Sequence, residues 1–267
     1  MPHFVERIPG GRGLGHFSQN RMYVNRRLGL VLVLNPKVGT TFFREALSEG
    51  LKEHCGLADP SEGRYWPFEM PREFPMAKIR DYLTALRHPE QFEFYAFVRN
   101  PYARLFSAWK DKFYNGHHHG YPPLFRGDRL NSLRRFARSQ AGSGGREGEL
   151  IPFETFVRYV LSGETGRMDH HWDAQHAVLM MDRFHYARLF RIEDERAEGM
   201  QTIFGKLGFD KQWIATRARR LRNESGSDRP AWFDKSLAQD VYVKFRRDFD
   251  VLGYDPESWR VPASVEI

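Results

Sequence analysis

Lys37 stands just ahead of Gly39 and the paired hydroxyls of Thr40 and Thr41, in the stretch LVLVLNPKVGTTFF (30–43). A glycine lets backbone approach an oxyanion, and the first-turn amides of a following helix are donors at the positive end of its dipole. A lysine brings a mobile positive charge to the same point. Pro36, Lys37, Val38, Gly39, Thr40 and Thr41 are therefore candidates for holding a phosphate. The same order also suits a plain strand-to-helix turn in which a threonine caps the helix. It departs from G-x-x-x-x-G-K-[ST], because the lysine precedes a single glycine, and this argues against a Walker-type triphosphate loop.

A second stretch, FVRNPYARLFSAWKDKF (97–113), puts Arg99 at the end of an apolar run and Ser107 two turns into the helix expected after it. Open α/β sheets bind ligands at such strand ends. Arg99 can grip a second phosphate bidentately while Ser107 adds a neutral donor. The plainer alternative pairs Arg99 with an acidic neighbour and leaves Ser107 on a helix surface.

The elements that must position these residues follow from hydrophobic periodicity. LGLVLVL (28–34) and FEFYAFV (92–98) are continuous β-type runs, as expected for strands covered on both faces of a parallel sheet. RFHYARLFRIE (183–193) predicts a further strand. Helices are predicted over TFFREALSEGLKEH (41–54), KIRDYLTALR, PYARLFSAWKDKFYN from Pro101, PFETFVRYVL (152–161), EDERAEGMQTIFGKLGF (193–209) and AWFDKSLAQDVYVKFRRDFDVLG. HHHGYPP (117–123) is expected to break the third of these and to carry its histidines on a solvated loop. AGSGGREGE (141–149) reads as a flexible loop and not a boundary. The alternation of strand and helix predicts an α/β fold with a mostly parallel sheet. Residues 1–25 are expected to be an N-terminal coil, where GGRGLG has no preceding strand to make it a dinucleotide fingerprint. Residues 26–260 are expected to form one domain.

The 267 residues are 41% hydrophobic and 15% aromatic, enough for a sizeable core. A net charge of +7 fits an anionic partner without choosing among nucleotide, nucleic acid, acidic glycan and membrane surface. Cys55 is the only cysteine, which excludes an intrachain disulfide and a cysteine-based zinc site. No run approaches the roughly 18 apolar residues of a membrane span. FARSQ and TRARRLR supply positive charge, but no nucleic-acid-binding module surrounds them, and a solvated basic helix face explains them.

Taken together, the two stretches resemble the PAPS-dependent sulfotransferases, which use 3′-phosphoadenosine 5′-phosphosulfate. PKVGTT is similar to that family's 5′-phosphosulfate loop and RNPYARLFS to its 3′-phosphate motif, closest to the carbohydrate sulfotransferase branch. PFETFVRYV (152–160), DHHWDAQ (169–175), RNES (222–225) and YVKFRRDFDVLGY (242–254) resemble later pieces of that branch, in order. Ala174 stands where the branch commonly has proline. The signal anchor and cysteine pairs common in Golgi members are not seen, so the expectation is a soluble, cytoplasmic enzyme of bacterial type.

The resemblance implies a P-loop-like, three-layer domain whose central sheet is flanked by helices. It also implies transfer of a sulfuryl group from PAPS to an acceptor hydroxyl, on a glycan, glycolipid or other glycoconjugate, with no metal required. Lys37 would stabilise the leaving phosphate, the loop amides and Thr40 would hold the sulfate and 5′-phosphate, and Arg99 and Ser107 the 3′-phosphate. His171 and His88 are the candidate general bases, and Trp172 offers a face for sugar stacking. A P-loop kinase acting on a small molecule or nucleotide is the competing expectation.

Overall fold

The computed structural model describes residues 22–55, 79–119, 128–140, 145–220 and 233–260. In chain order the elements are β1 (Met22–Asn25), β2 (Leu30–Val33), α1 (Thr40–Cys55), α2 (Ile79–Arg87), β3 (Glu93–Val98), α3 (Pro101–Trp109), α4 (Asn115–His119), α5 (Asp128–Ser139), α6 (Phe153–Ser162), α7 (Gln175–Val178), β4 (Tyr186–Arg191), α8 (Arg196–Lys206), α9 (Lys211–Arg220) and α10 (Lys235–Leu252). The chain divides into two compact units, each built from two separate segments: 1–99 with 175–224, and 100–174 with 225–267.

The first unit carries the sheet, in the order β1-β2-β3-β4. β2, β3 and β4 run parallel, and β1 pairs antiparallel with β2 across the turn at 26–29. This is the α/β, mostly parallel arrangement expected from the sequence. Both faces are covered. Leu30, Leu32, Tyr95 and Phe97 join a core with Phe43, Ala46 and Leu47 of α1 and with Met200, Ile203 and Phe204 of α8. On the opposite face, Phe94 of β3 stacks on Phe184, which precedes β4, at 5.0 Å between ring centres. Phe43 stacks on Phe97 at 3.9 Å, tying α1 to the strand that ends at Arg99. A Cβ at Gly199 would lie 2.5 Å from Phe97 and 2.7 Å from Phe190, so only glycine lets α8 settle this close to the sheet.

The second unit is helical. Phe153, Phe156, Val157 and Val160 bury one stripe of α6 at the spacing of an amphipathic helix. Asp234 caps α10 by accepting from the Leu237 amide at 2.7 Å, and Gly253 closes it in the left-handed region at φ 69°. Between α3 and α4 the helix widens into a π turn over Lys110–Tyr114, with Phe113 buried in it.

Three sequence expectations change. Met22–Asn25, assigned to the N-terminal coil, is a strand; residues 1–21 and GGRGLG lie outside the described residues. His117–His119 continue the helix as α4 and are not a loop, because the π turn lets the helix run past Tyr114. The basic stretches FARSQ and TRARRLR fall largely on α5 and α9, helices not predicted as elements in their own right. RNES lies outside the described residues.

Candidate active site

Beyond Val33 the chain leaves β2 through Leu34 and Asn35 and turns at Pro36–Gly39 into α1. Two residues of the loop have positive φ: Lys37 at 69° and Gly39 at 77°. Glycine takes this conformation freely, but a lysine there costs roughly 1–2 kcal/mol. A strained non-glycine residue beside a helix N-terminus is the kind of outlier that marks a functional loop. The helical hydrogen bonds of α1 begin with the Phe43 amide donating to Gly39 O at 3.1 Å. The amides before it have no intrahelical acceptor four residues back.

The loop is fastened from two sides. Thr40 Oγ1 donates to Asn35 O at 2.5 Å, and Arg99 Nη1 donates to Lys37 O at 3.0 Å. The Thr40 hydroxyl, expected as a donor to an anion, thus gives its proton to the loop itself. Thr41, the other candidate hydroxyl, is exposed. Val38 is buried in the core, so only its backbone can face a ligand, and buried Pro36 has no amide to offer.

Arg99 follows β3 directly, at the carboxyl end of the parallel sheet, as does the Lys37 loop after β2. The two strand ends are joined by Gln175, which is fully buried. Gln175 Oε1 accepts from Asn35 Nδ2 at 2.9 Å and from the Arg99 amide at 3.0 Å, and its Nε2 donates to Arg99 O at 2.7 Å. Asn35 Nδ2 also donates to Phe97 O at 3.2 Å. Sequence reasoning quoted Gln175 within DHHWDAQ but gave it no role, and it passed over Asn35.

His88 sits at the other end of the same sheet. Leu30 pairs with Glu93 and Val33 with Ala96, so residues before β3 lie at the amino end and Lys37 at the carboxyl end. A strand of this length spans roughly 20 Å. His88 is therefore removed as a candidate base; its ring approaches Glu90 at 3.5 Å in an exposed turn. It also lines a hollow of about 410 Å³ with Arg80, Leu83, Thr84 and Arg87.

In the second unit, Asn100 and Pro101 build the start of α3. Asn100 Oδ1 accepts from the amides of Tyr102 at 3.0 Å and Ala103 at 3.3 Å, and Pro101 opens the first turn. Ser107 is half-buried farther along this helix. Arg104, almost fully buried, donates to the carbonyls of Asp173 at 2.6 Å and His170 at 2.8 Å. Asp173 in turn accepts from the amides of Gly166, Met168 and Ala174 at 2.8–3.1 Å. These bonds fix the backbone around His171.

His171 Nδ1 lies 2.6 Å from Asp169 Oδ1, which also accepts from the His171 amide at 3.0 Å. Arg129 of α5 reaches the second carboxylate oxygen at 2.6 Å. Burial pushes the Asp169 carboxyl up, but the His171 hydrogen bond and the charges of His171 and His170 hold it well below the usual carboxylate range. A carboxylate engaged at Nδ1 fixes the imidazole tautomer and directs base chemistry to Nε2. Asp169 was missed at the sequence level, although the D-x-H spacing was its signal. Donor atoms of Asp169, His170 and His171 lie within 4.8 Å of one another, close enough to share a metal ion. The Arg129 cation on Asp169 favours the hydrogen-bonded dyad over such an ion. Trp172, expected as a sugar platform, is buried against Phe113 and Phe156 and serves the core.

A family profile described as the sulfotransferase family matches residues 20–255. Among curated proteins, the chain is similar to carbohydrate sulfotransferase 11 of Rattus norvegicus, 23% identical over 60% of this chain and 46% of the relative. Carbohydrate sulfotransferase 14 of Homo sapiens is 25% identical over 67% of this chain and 46% of its own length. Carbohydrate sulfotransferase 12 of Xenopus laevis is 22% identical over 88% and 60%. The chain spans about half the length of the first two of these relatives. No solved structure matches it.

Proposed function

The chain belongs to the sulfotransferase family, and on that premise we propose that it transfers the sulfuryl group of PAPS to a hydroxyl of a carbohydrate or glycoconjugate. The observation that carries this reading is the strained Lys37 loop, bonded through Lys37 O to Arg99 at the neighbouring strand end. The names of the similar proteins support a carbohydrate acceptor. A kinase reading finds no support in the comparisons.

Bound PAPS would supply an activated sulfuryl group and leave as adenosine 3′,5′-bisphosphate. The amides of Val38, Gly39, Thr40 and Thr41, with the Thr41 hydroxyl, would hold the 5′ end. Lys37 would stabilise charge gathering on the bridging oxygen, and Arg99 and Ser107 would bind the 3′-phosphate. Preorganised donors of this kind are the main source of rate in group transfer. His171 Nε2 would take the acceptor proton while Asp169 holds the ring. Among the described residues no helix is long and apolar enough to cross a membrane. A soluble, cytoplasmic location is part of the proposal, checked by cell fractionation.

The test is calorimetric titration with adenosine 3′,5′-bisphosphate and, separately, with ATP and magnesium. The bisphosphate should bind and ATP should bind far more weakly. Comparable binding of both, or none of the bisphosphate, overturns the reading.

A further inference from the structure

We propose that Gln175 sets the distance between the two phosphate-binding stretches and thereby makes the protein select nucleotides phosphorylated at both the 3′ and 5′ positions. The proposal rests on the PAPS reading above and assigns the specificity of that site to a fully buried residue bonded to Asn35 and Arg99.

The ladder between β2 and β3 ends at Val33 and Ala96. Both candidate phosphate stretches begin past that point, where side chains tie the two strand ends: Asn35 to Phe97 O, Arg99 to Lys37 O, and Gln175 to both Asn35 and Arg99. Of these ties, Gln175 is the one that bonds Arg99 on both its amide and its carbonyl while holding Asn35. One fully buried side-chain amide takes Asn35 Nδ2 and the Arg99 amide on its oxygen and gives a proton to Arg99 O from its nitrogen. Asn35 extends the tie inward to Phe97 O and outward, through its own carbonyl, to Thr40 Oγ1. The chain therefore runs without a break from the first turn of α1 to the backbone of Arg99.

A bisphosphate has its two charged groups at a separation set by the ribose. It gains from both stretches only if the protein presents them at that spacing in advance. A nucleotide with a 5′-phosphate alone needs only the Lys37 loop. Loss of the tie should thus cost the bisphosphate much and the monophosphate little. Gln175 is a positioning residue, and the ratio of the two affinities reports on it where a general loss of stability would not.

The experiment titrates the full chain, as wild type, Gln175→Met and Asn35→Ala, with adenosine 3′,5′-bisphosphate and with adenosine 5′-monophosphate. Wild type should prefer the bisphosphate, and each variant should lose about ten- to a hundredfold of that preference with monophosphate binding little changed. A preserved preference, or equal weakening of both nucleotides, overturns the proposal. If Gln175→Met does not fold by circular dichroism, Asn35→Ala decides the question alone. A wild type with no preference removes the PAPS reading itself, and this inference with it.

Discussion

His171 Nδ1 and Asp169 Oδ1 are 2.6 Å apart, and the second oxygen of the same carboxylate is held by Arg129 at 2.6 Å. The carboxylate has both oxygens engaged by cation or potential cation, so it stays ionised while it orients the ring. Asp169→Asn keeps the shape and changes the tautomer that the ring prefers. Turnover should fall by roughly 10²–10⁴ with bisphosphate affinity unchanged, as measured by initial rates and calorimetry. Normal turnover would remove the dyad from the mechanism.

The same carboxylate makes a pH prediction. Its folded value is lowered, so its contribution to stability is complete above the ordinary carboxylate value and is lost as pH falls from there through the folded value. Wild type should be more stable than Asp169→Asn at pH 7, and the gap should close below about pH 4. Urea unfolding across that range checks the sign. A gap that widens in acid contradicts it.

Lys37 holds a positive φ that glycine would hold without strain, and the proposed mechanism gives its ammonium group the charge on the bridging oxygen to stabilise. Lys37→Gly relieves the positive φ and should raise stability by roughly 1 kcal/mol while abolishing sulfuryl transfer. Lys37→Ala should lose transfer as well, without the gain. Thermal unfolding and a transfer assay on both variants separate the backbone effect from the side-chain effect. Transfer retained by either would take the ammonium group out of the reaction.

Arg99→Ala removes the proposed grip on the 3′-phosphate and also the bond to Lys37 O. Its affinity loss should exceed that of Ser107→Ala, which removes a neutral donor, by about 1–2 kcal/mol. Equal losses would mean that Arg99 carries no charge-assisted contact.

Gly199→Ala tests the packing of α8 on the sheet. Its new methyl would press on Phe97 and Phe190, and overpacking of this kind costs roughly 1–3 kcal/mol in urea unfolding. An unchanged midpoint would show that the two rings can yield.

Much of this was legible along the chain, because buried parallel strands write continuous apolar runs and Asn-Pro writes a helix start. β2, β3, α1 and α3 follow from LVLVL, FEFYAFV and RNPYARLFS on those grounds. β1 did not, since MYVN is too short to show a period and is a strand only by pairing with β2. The order of motifs placed His88 between the two phosphate stretches, but order does not say at which end of a strand a residue lies. Trp172 and Thr40 were misread because only tertiary contacts decide whether a ring is buried or a hydroxyl proton is already committed. Gln175 meets Asn35 across 140 residues of sequence and Arg99 across 76, a relationship that no local pattern contains.

That separation also has a consequence for synthesis. Both stretches proposed to bind phosphate leave the ribosome long before the residue that joins them, and β4 follows later still. The sheet of the first unit must wait with an unpaired edge on β3 while the intervening helices are made, which is the situation in which nascent chains associate wrongly. A chain ending before Gln175 would contain every residue proposed to touch the nucleotide and would still present its strand ends unlinked. Such fragments should bind no bisphosphate and should accumulate as aggregates, so a functional minimal fragment has to extend at least through β4.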